Sequence, residues 1–130
     1  MKAELERGLL TAKSVIIADD MADARAVAAI LLGELGMTVY EAENGLETLS
    51  LCKEHAVDLI LLDVWMPKLS GTELIAQIRT LHKFVPILAI TGDKSSVVDG
   101  AENLLLDINA YLIKPYQPSQ LVTLIASLIA

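Results

Sequence analysis

Short apolar runs alternate with segments of helical length along this 130-residue chain. Residues 57–62 form the strongest run, because five of their six side chains are apolar, as in a strand buried on both faces. The other runs that predict strands are residues 15–18, 38–42, 85–90 and 110–113. Such an alternation predicts an α/β protein with a parallel sheet that helices cover on both faces.

The segments between these runs carry helix signals. Gly36 follows residues 23–35, where the end of a helix favours a residue with positive φ. Asn44 and Glu47 have the spacing of a capping pair at the start of the next helix. The remaining helices are predicted from a capping box at residues 70–73 through about residue 81, near residues 95–106, and from about Pro118 onward.

Five strand–helix units favour a doubly wound, flavodoxin-like sheet with the strand order 2-1-3-4-5. The length of 130 residues suits one domain. We expect an N-terminal extension at residues 1–13, either a short helix or a loose tail, and the folded domain at residues 14–130.

Composition argues against several classes of function. The formal net charge of −7 would repel nucleic-acid phosphates, so we expect no direct nucleic-acid binding. No apolar run approaches the roughly 18 residues of a membrane helix, and no secretory signal is visible. The single cysteine, Cys52, cannot form an internal disulfide and is interpreted as a buried small hydrophobe. We therefore expect a cytoplasmic protein without a membrane partner.

Polar residues collect where the predicted strands end. The first strand ends in Asp19 and Asp20, the third in Asp63, the fourth in Thr91 and the fifth in Lys114. Doubly wound sheets bind ligands beyond the carboxyl ends of their strands, where the strand order reverses, here between strands 1 and 3. Three carboxylates are therefore expected to converge at that point.

Crowded carboxylates need a compensating cation, since each pair costs about 4 kcal/mol at roughly 4 Å and an effective dielectric near 20. Lys114 supplies one positive charge, which leaves an excess of two negative charges. Mg²⁺ matches that deficit, because it binds few protein carboxylates and keeps water or phosphate oxygens as further ligands. The alternative is that the acids are merely solvated, or that Asp20 and Asp23 cap the first helix.

A carboxylate beside Mg²⁺ can attack phosphorus and form an acyl phosphate. Asp63 is the strongest candidate nucleophile because it ends the most buried strand, whereas Asp19 and Asp20 sit side by side as ligands would. Lys114 and Thr91 would hold the phosphate oxygens. The residues thus predict a magnesium-dependent phosphoryl acceptor.

Four segments in order resemble the receiver domain of two-component response regulators, and the similarity covers residues 14–130. They are IIADD at 16–20, LLDVWMP at 61–67 with Gly71 beyond it, AITG at 89–92 and YLIKP at 111–115. The resemblance implies that Asp63 accepts a phosphoryl group from a sensor histidine kinase or a histidine phosphotransfer protein. It also implies a regulatory domain that assists its own phosphorylation and dephosphorylation rather than an enzyme.

The resemblance assigns roles to the site residues. Thr91 and Lys114 would bind the phosphate, and the peptide bond between Lys114 and Pro115 would be cis. The expected Mg²⁺ ligands are Asp19, Asp20, Asp63 and the backbone carbonyl of Trp65.

A switch is implied as well. Thr91 would couple to rotation of Tyr111 and change the face formed by the helix near 95–106, the fifth strand and the last helix. That face would control a downstream effector protein or output domain. Val122 and Ile129 lie beyond the main apolar stripe of the last helix, so a homodimer or partner contact is expected there, with scattered surface hydrophobes as the alternative.

The sequence departs from the receiver-domain pattern at two places, and two other functions are compatible with parts of it. Residues 106–109 replace a family pattern that contains glycine, and the bulky Trp65 could shield an acyl phosphate from water. A phosphatase of the haloacid dehalogenase type would need an acid two residues after the nucleophile, where Trp65 stands. A receiver that serves only as a docking module would be expected to lack one of the five site groups, and all five are present.

Overall fold

The computed structural model describes residues 8, 10–64, 71–92 and 107–129. Within them five strands alternate with helices as expected, while the helix predicted near 95–106 lies outside the described residues. The strands are β1 (Ser14–Ala18), β2 (Thr38–Ala42), β3 (Leu59–Asp63), β4 (Ile87–Thr91) and β5 (Ala110–Ile113). The helices are α1 (Ala22–Glu34), α2 (Gly45–Glu54), α3 (Gly71–Leu81) and α4 (Pro118–Ile129).

The five strands form one parallel sheet in the order β2-β1-β3-β4-β5, which confirms the predicted doubly wound order. The register aligns Ala18 with Leu62, Asp63 with Ile90, and Thr91 with Ile113. The carboxyl ends of all five strands therefore share one edge of the sheet. None of the described helices is both long and apolar enough to cross a bilayer.

Two apolar layers hold the sheet. Successive strand side chains point to opposite faces, so Ile60 and Leu62 pack with α2 and α3, whereas Leu59 and Leu61 pack with α1 and α4. Every residue of β3 and β4 is buried, as expected for central strands.

The predictions for two apolar residues, the burial of Cys52 and the exposure of Val122, have opposite outcomes. Cys52 is 1% exposed, which confirms it as a buried hydrophobe, and burial raises the pKa of its thiol to about 11. Val122 is buried in the core layer of α4, so the expectation that it adds excess surface there was wrong. Ile129 packs against the same layer while partly exposed.

Two strands begin two residues later than the apolar runs indicate. Asp58 precedes β3 and accepts hydrogen bonds from the backbone N–H of Ser14 at 2.8 Å and from its hydroxyl at 3.2 Å. Its role is therefore to fix the start of β1 against β3. Pro86 precedes β4 because proline has no N–H to contribute to a central ladder.

The helix boundaries near β2 follow the predicted signals. Gly36 has a φ of +89°, and a Cβ added there would lie 3.0 Å from the Thr11 hydroxyl oxygen, so glycine is needed for two reasons. The Asn44 side chain accepts from the Glu47 backbone N–H at 2.9 Å, which confirms the cap of α2. Glu47 in turn accepts from the Glu43 backbone N–H at 2.8 Å.

The chain just before β1 is packed onto the domain. Leu10 is fully buried in the layer that contains α1, and the Ala12 backbone N–H donates to the Gly36 carbonyl at 3.1 Å. Ala12 adopts a φ of +68°, an uncommon conformation for a residue with a side chain. The boundary between residues 13 and 14 stays a prediction, but the core includes a side chain from before it.

Candidate functional site

Three carboxylates meet at the carboxyl edge of the sheet. Asp19 follows β1, its backbone N–H donating to the Ala42 carbonyl at 3.0 Å, and Asp63 ends β3. One carboxylate oxygen from each of Asp19, Asp20 and Asp63 lies within 4.8 Å of the others. Asp19 and Asp63 are buried while Asp20 is exposed, so the cluster opens to solvent on one side. The structure therefore brings together the three acids that were predicted from the strand ends.

Lys114 joins this cluster from the end of β5. Its Nζ lies 3.3 Å from Asp19 Oδ2 and 3.6 Å from Asp63 Oδ2. Its backbone N–H donates to the Thr91 carbonyl at 2.7 Å, which ties the ends of β4 and β5 together. Burial opposes the charge of Lys114, but Asp63 and Asp19 outweigh burial and raise the pKa of the ammonium group. Lys114 is therefore protonated at neutral pH and balances one of the three negative charges.

The donor set suits a hard divalent cation. Three carboxylates face one lysine, all the converging ligand atoms are oxygens, and the exposed side leaves room for water or phosphate ligands. Mg²⁺ prefers such a site because it retains water and uses few protein carboxylates.

The alternative that Asp20 caps the first helix is wrong, because Met21 is the N-cap residue of α1 and no side chain caps it.

The other predicted site residues surround the cluster. Thr91 ends β4 and is completely buried, one strand away from Asp63. Tyr111 on β5 is half-buried and packs against the core layer formed with α2 and α3. The Lys114–Pro115 peptide bond is cis. Trp65, whose backbone carbonyl is an expected metal ligand, lies outside the described residues.

Sequence reasoning missed two residues at this edge. Arg25 has no sequence signal beyond that of a surface charge, but its Nη1 donates to the backbone carbonyl of Asp19 at 2.7 Å. Its acceptor is a backbone carbonyl, which no residue type marks in the sequence. Tyr116 is half-buried, and burial raises the pKa of its hydroxyl despite the opposing effect of Lys114. No local pattern marks Tyr116 in advance.

Comparisons with known proteins agree with this geometry. Residues 15–126 match the family model described as "Response regulator receiver domain". A probable transcriptional regulator, ycf27 from Cyanidium caldarium, is 36% identical over 115 residues, which are 88% of this chain and 45% of that protein. The chain spans about half the length of the curated relatives it matches.

Solved structures give the same result. The chemotaxis protein CheY4 of Vibrio cholerae has a TM-score of 0.82 and 28% identity, covering 91% of this chain and 99% of that one. The receiver domain of sensor histidine kinase PA1611 from Pseudomonas aeruginosa has a TM-score of 0.82 and 25% identity, covering 92% and 98%. That structure carries a magnesium ion coordinated in its active site cleft.

Proposed function

This chain belongs to the response regulator receiver domain family, and from that premise we propose that Asp63 is the phosphoryl acceptor of a Mg²⁺-dependent signalling switch. The observation that carries the proposal is the convergence of Asp19, Asp20 and Asp63 within 4.8 Å, with Lys114 beside two of them. A purely structural cluster would be expected to balance its charges, and this one retains an excess of carboxylates.

The proposed reaction is an in-line transfer from a phosphohistidine. A carboxylate oxygen of Asp63 attacks phosphorus, the bond between phosphorus and the histidine nitrogen breaks, and that nitrogen keeps the electron pair. The product is an acyl phosphate on Asp63, and the donor ring, whose other nitrogen carries a proton, is left as a neutral imidazole. Hydrolysis later returns the carboxylate and inorganic phosphate. Mg²⁺, when bound by Asp19, Asp20, Asp63 and the carbonyl of Trp65, would neutralise charge on the transferred group.

Lys114 and Thr91 complete the proposed site. The Lys114 ammonium group, 3.6 Å from Asp63, can pair with a phosphate oxygen without a large movement. Thr91 ends the neighbouring strand, so its hydroxyl can turn toward the new phosphate and donate to it. Both groups act by position and charge, which is what phosphoryl transfer requires of a protein.

Coupling to a partner is proposed through β4 and β5. Lys114 and Thr91 are joined by the 2.7 Å backbone hydrogen bond, and Tyr111 pairs in register with Ala89 on β4. A displacement of Thr91 toward the phosphate would therefore be transmitted to Tyr111 and to the outer face of β5 and α4. We propose that this face, together with the segment near 95–106, controls an effector protein or an output domain, or pairs with a second copy of the chain. A sensor histidine kinase or histidine phosphotransfer protein would supply the phosphoryl group in the cytoplasm.

Intact-mass spectrometry tests the proposed function. The protein is incubated with acetyl phosphate, and separately with a phosphohistidine donor protein, with Mg²⁺ or with EDTA. We expect one Mg²⁺-dependent phosphoryl adduct that is absent from Asp63→Asn. The matched control is Asp23→Asn, which removes an exposed acid in the first turn of α1 and should retain the adduct.

Either of two results would contradict the proposal. One is an adduct that survives in Asp63→Asn, which would place the acceptor elsewhere. The other is the lack of any adduct from both classes of donor in a folded sample, which would favour the docking module. Release of inorganic phosphate from other phosphoesters, without dependence on an acyl-phosphate donor, would favour a phosphatase instead.

A further inference from the structure

Arg25 contacts the acidic site through the backbone of a metal-ligand candidate rather than through a carboxylate at that site. Its Nη1 donates to the Asp19 carbonyl at 2.7 Å, and its Nε donates to Glu41 Oε1 on β2 at 3.2 Å. We propose that Arg25 is a positioning residue for Mg²⁺ binding, which fixes the peptide plane between Asp19 and Asp20. This inference rests on the proposed function of the acidic cluster.

Every polar group of Asp19 has a partner. Its N–H donates to the Ala42 carbonyl, its Oδ1 accepts from the Met21 N–H at 2.9 Å, and its Oδ2 accepts from Lys114 at 3.3 Å. The carbonyl oxygen is the remaining group, and Arg25 binds it. Each polar group of Asp19 is therefore bound, and two of these contacts flank Asp20: Arg25 binds the carbonyl before it, and the Met21 N–H after it binds Asp19 Oδ1.

The carbonyl contact controls Asp20 through covalent geometry. The carbonyl of Asp19 and the N–H of Asp20 belong to one planar peptide unit, so fixing the oxygen fixes the direction in which the chain enters Asp20. Asp20 is exposed and lies just before α1, whose N-cap residue Met21 has no side-chain cap. The turn from Asp19 to Met21 is thus held by two contacts, the donation of Arg25 to the Asp19 carbonyl and the donation of the Met21 N–H to Asp19 Oδ1.

The arginine is itself well anchored. Its side chain is 17% exposed, and its backbone N–H donates to the Met21 carbonyl at 2.9 Å within the first turn of α1. A planar guanidinium that binds Glu41 with one nitrogen and Asp19 with another has little freedom to rotate. A lysine has all its donors on one nitrogen and lacks the separated Nε and Nη1 that here bind Glu41 and Asp19, so the fork and not the charge alone is required.

Charge and position predict opposite effects on Mg²⁺ affinity. If Arg25 were only a nearby positive charge, its removal would make the acidic cluster more attractive to a cation, and Mg²⁺ would bind more tightly. If Arg25 orders the turn, its removal weakens binding, as loss of an outer group that orients metal ligands does, by about tenfold. The sign of the change therefore separates the two roles.

The experiment measures the Mg²⁺ dissociation constant from amide NMR shifts of the full chain. Arg25→Ala should bind Mg²⁺ about tenfold more weakly than the unmodified chain, with altered Asp20 and Met21 amide signals before Mg²⁺ is added. Arg25→Lys, which keeps the charge, should also bind more weakly. Arg25→Ala combined with Glu41→Gln restores the local charge balance and should remain as weak as Arg25→Ala alone. Lys53→Ala, which removes an exposed cation from the last turn of α2, should bind as the unmodified chain does.

Tighter or unchanged binding in folded Arg25→Ala would overturn the inference, and so would full recovery in the charge-balanced double variant. Thermal unfolding without Mg²⁺ shows whether each variant is folded. If Arg25→Ala is unfolded, the Mg²⁺ affinity of Arg25→Lys tests the inference instead. Failure of the proposed function looks different, because the unmodified chain itself would then bind no Mg²⁺ and accept no phosphoryl group.

Discussion

The two edges of the sheet both hold a basic side chain among oxygen atoms, but the oxygens differ in charge. At the amino edge of β4 and β5, Arg79 donates to the Val85 carbonyl at 2.6 Å, to the Asp107 carbonyl at 2.9 and 3.1 Å, and to Asn109 Oδ1 at 3.0 Å. All of these acceptors are neutral. At the carboxyl edge Lys114 lies between two buried carboxylates, with a third close by.

This difference separates a stabilising cluster from the cluster proposed to bind Mg²⁺ and phosphate. Asn109 Oδ1 also accepts from the Ile87 N–H at 2.9 Å, so the amino edge satisfies several backbone and side-chain groups with one guanidinium. The carboxyl edge retains mutual repulsion that folding alone does not require. A ligand of opposite charge would relieve that repulsion, so under the proposed function we expect stability and activity to depend on different edges.

Removal of Arg79 should give the largest change in stability among the variants that compare the two edges. Arg79→Ala leaves the carbonyls of Val85 and Asp107 without their charged donor, and we expect a loss of about 2 kcal/mol in the free energy of unfolding. Urea unfolding monitored by circular dichroism measures the loss. Phosphoryl transfer to Asp63 should persist in the folded fraction, and Lys83→Ala, an exposed neighbour, should unfold as the unmodified chain does. If Arg79→Ala were as stable as the unmodified chain, the amino edge would not contribute more to stability than the carboxyl edge.

Neutralising one acid at the carboxyl edge should have a smaller effect of opposite sign. Asp20→Asn removes one member of the repelling cluster, so without Mg²⁺ we expect a gain of about 1 kcal/mol in the free energy of unfolding. With saturating Mg²⁺ the order should reverse, because the unmodified chain gains metal binding that the variant lacks. Urea unfolding with EDTA and with Mg²⁺ provides the two values. The control Asp23→Asn should be slightly destabilised, since Asp23 favours the N-terminus of α1. A loss of stability in metal-free Asp20→Asn would show that the cluster is not strained.

Alkaline pH should give the smallest effect and act on one edge only. The pKa of Lys114 is raised above its ordinary value of 10.5, so its contribution is complete below the unfolded pKa and is lost as pH rises through the folded pKa. We expect the difference in unfolding free energy between the unmodified chain and Lys114→Gln to shrink by about 0.5 kcal/mol above pH 10.5. Titration of Cys52, between 9.0 and about 11, occurs in both proteins and cancels in this difference. The comparison between the edges is weakened if the difference between the unmodified chain and Arg79→Gln shrinks in the same way, since the guanidinium of Arg79 stays protonated in this pH range.

Most of the fold could be predicted from sequence because local patterns determine it. The bounds of β2 and β5 match their apolar runs, and Gly36 and Asn44 end and begin helices where their chemistry demands. The start of β3 was misplaced because Asp58 pairs with Ser14, which is 44 residues away in the chain. An apolar sequence pattern cannot show that Asp58 within it binds the backbone of a residue as distant as Ser14.

The candidate site divides in the same way. Asp19 and Asp63 could be placed because parallel topology brings strand ends together once the strand order is known. Arg25 and Arg79 could not, because their main acceptors are backbone carbonyls, which every residue possesses and which no sequence pattern marks. The number of charges at the site was therefore predictable, while the groups that orient them were visible only in three dimensions.

The burial of Leu10 has a practical consequence for anyone who cuts or fuses this chain. A fragment that starts at residue 14 would lose a fully buried leucine and leave a void beside α1, at a cost of about 3 kcal/mol if Leu→Ala losses are a guide. A tag or neighbouring domain joined ahead of Gly8 would be attached to the core through Leu10 rather than to a free tail. Tension applied at that junction would therefore reach the C-terminal end of α1 first, through the Ala12–Gly36 hydrogen bond, and then the start of β1 at Ser14.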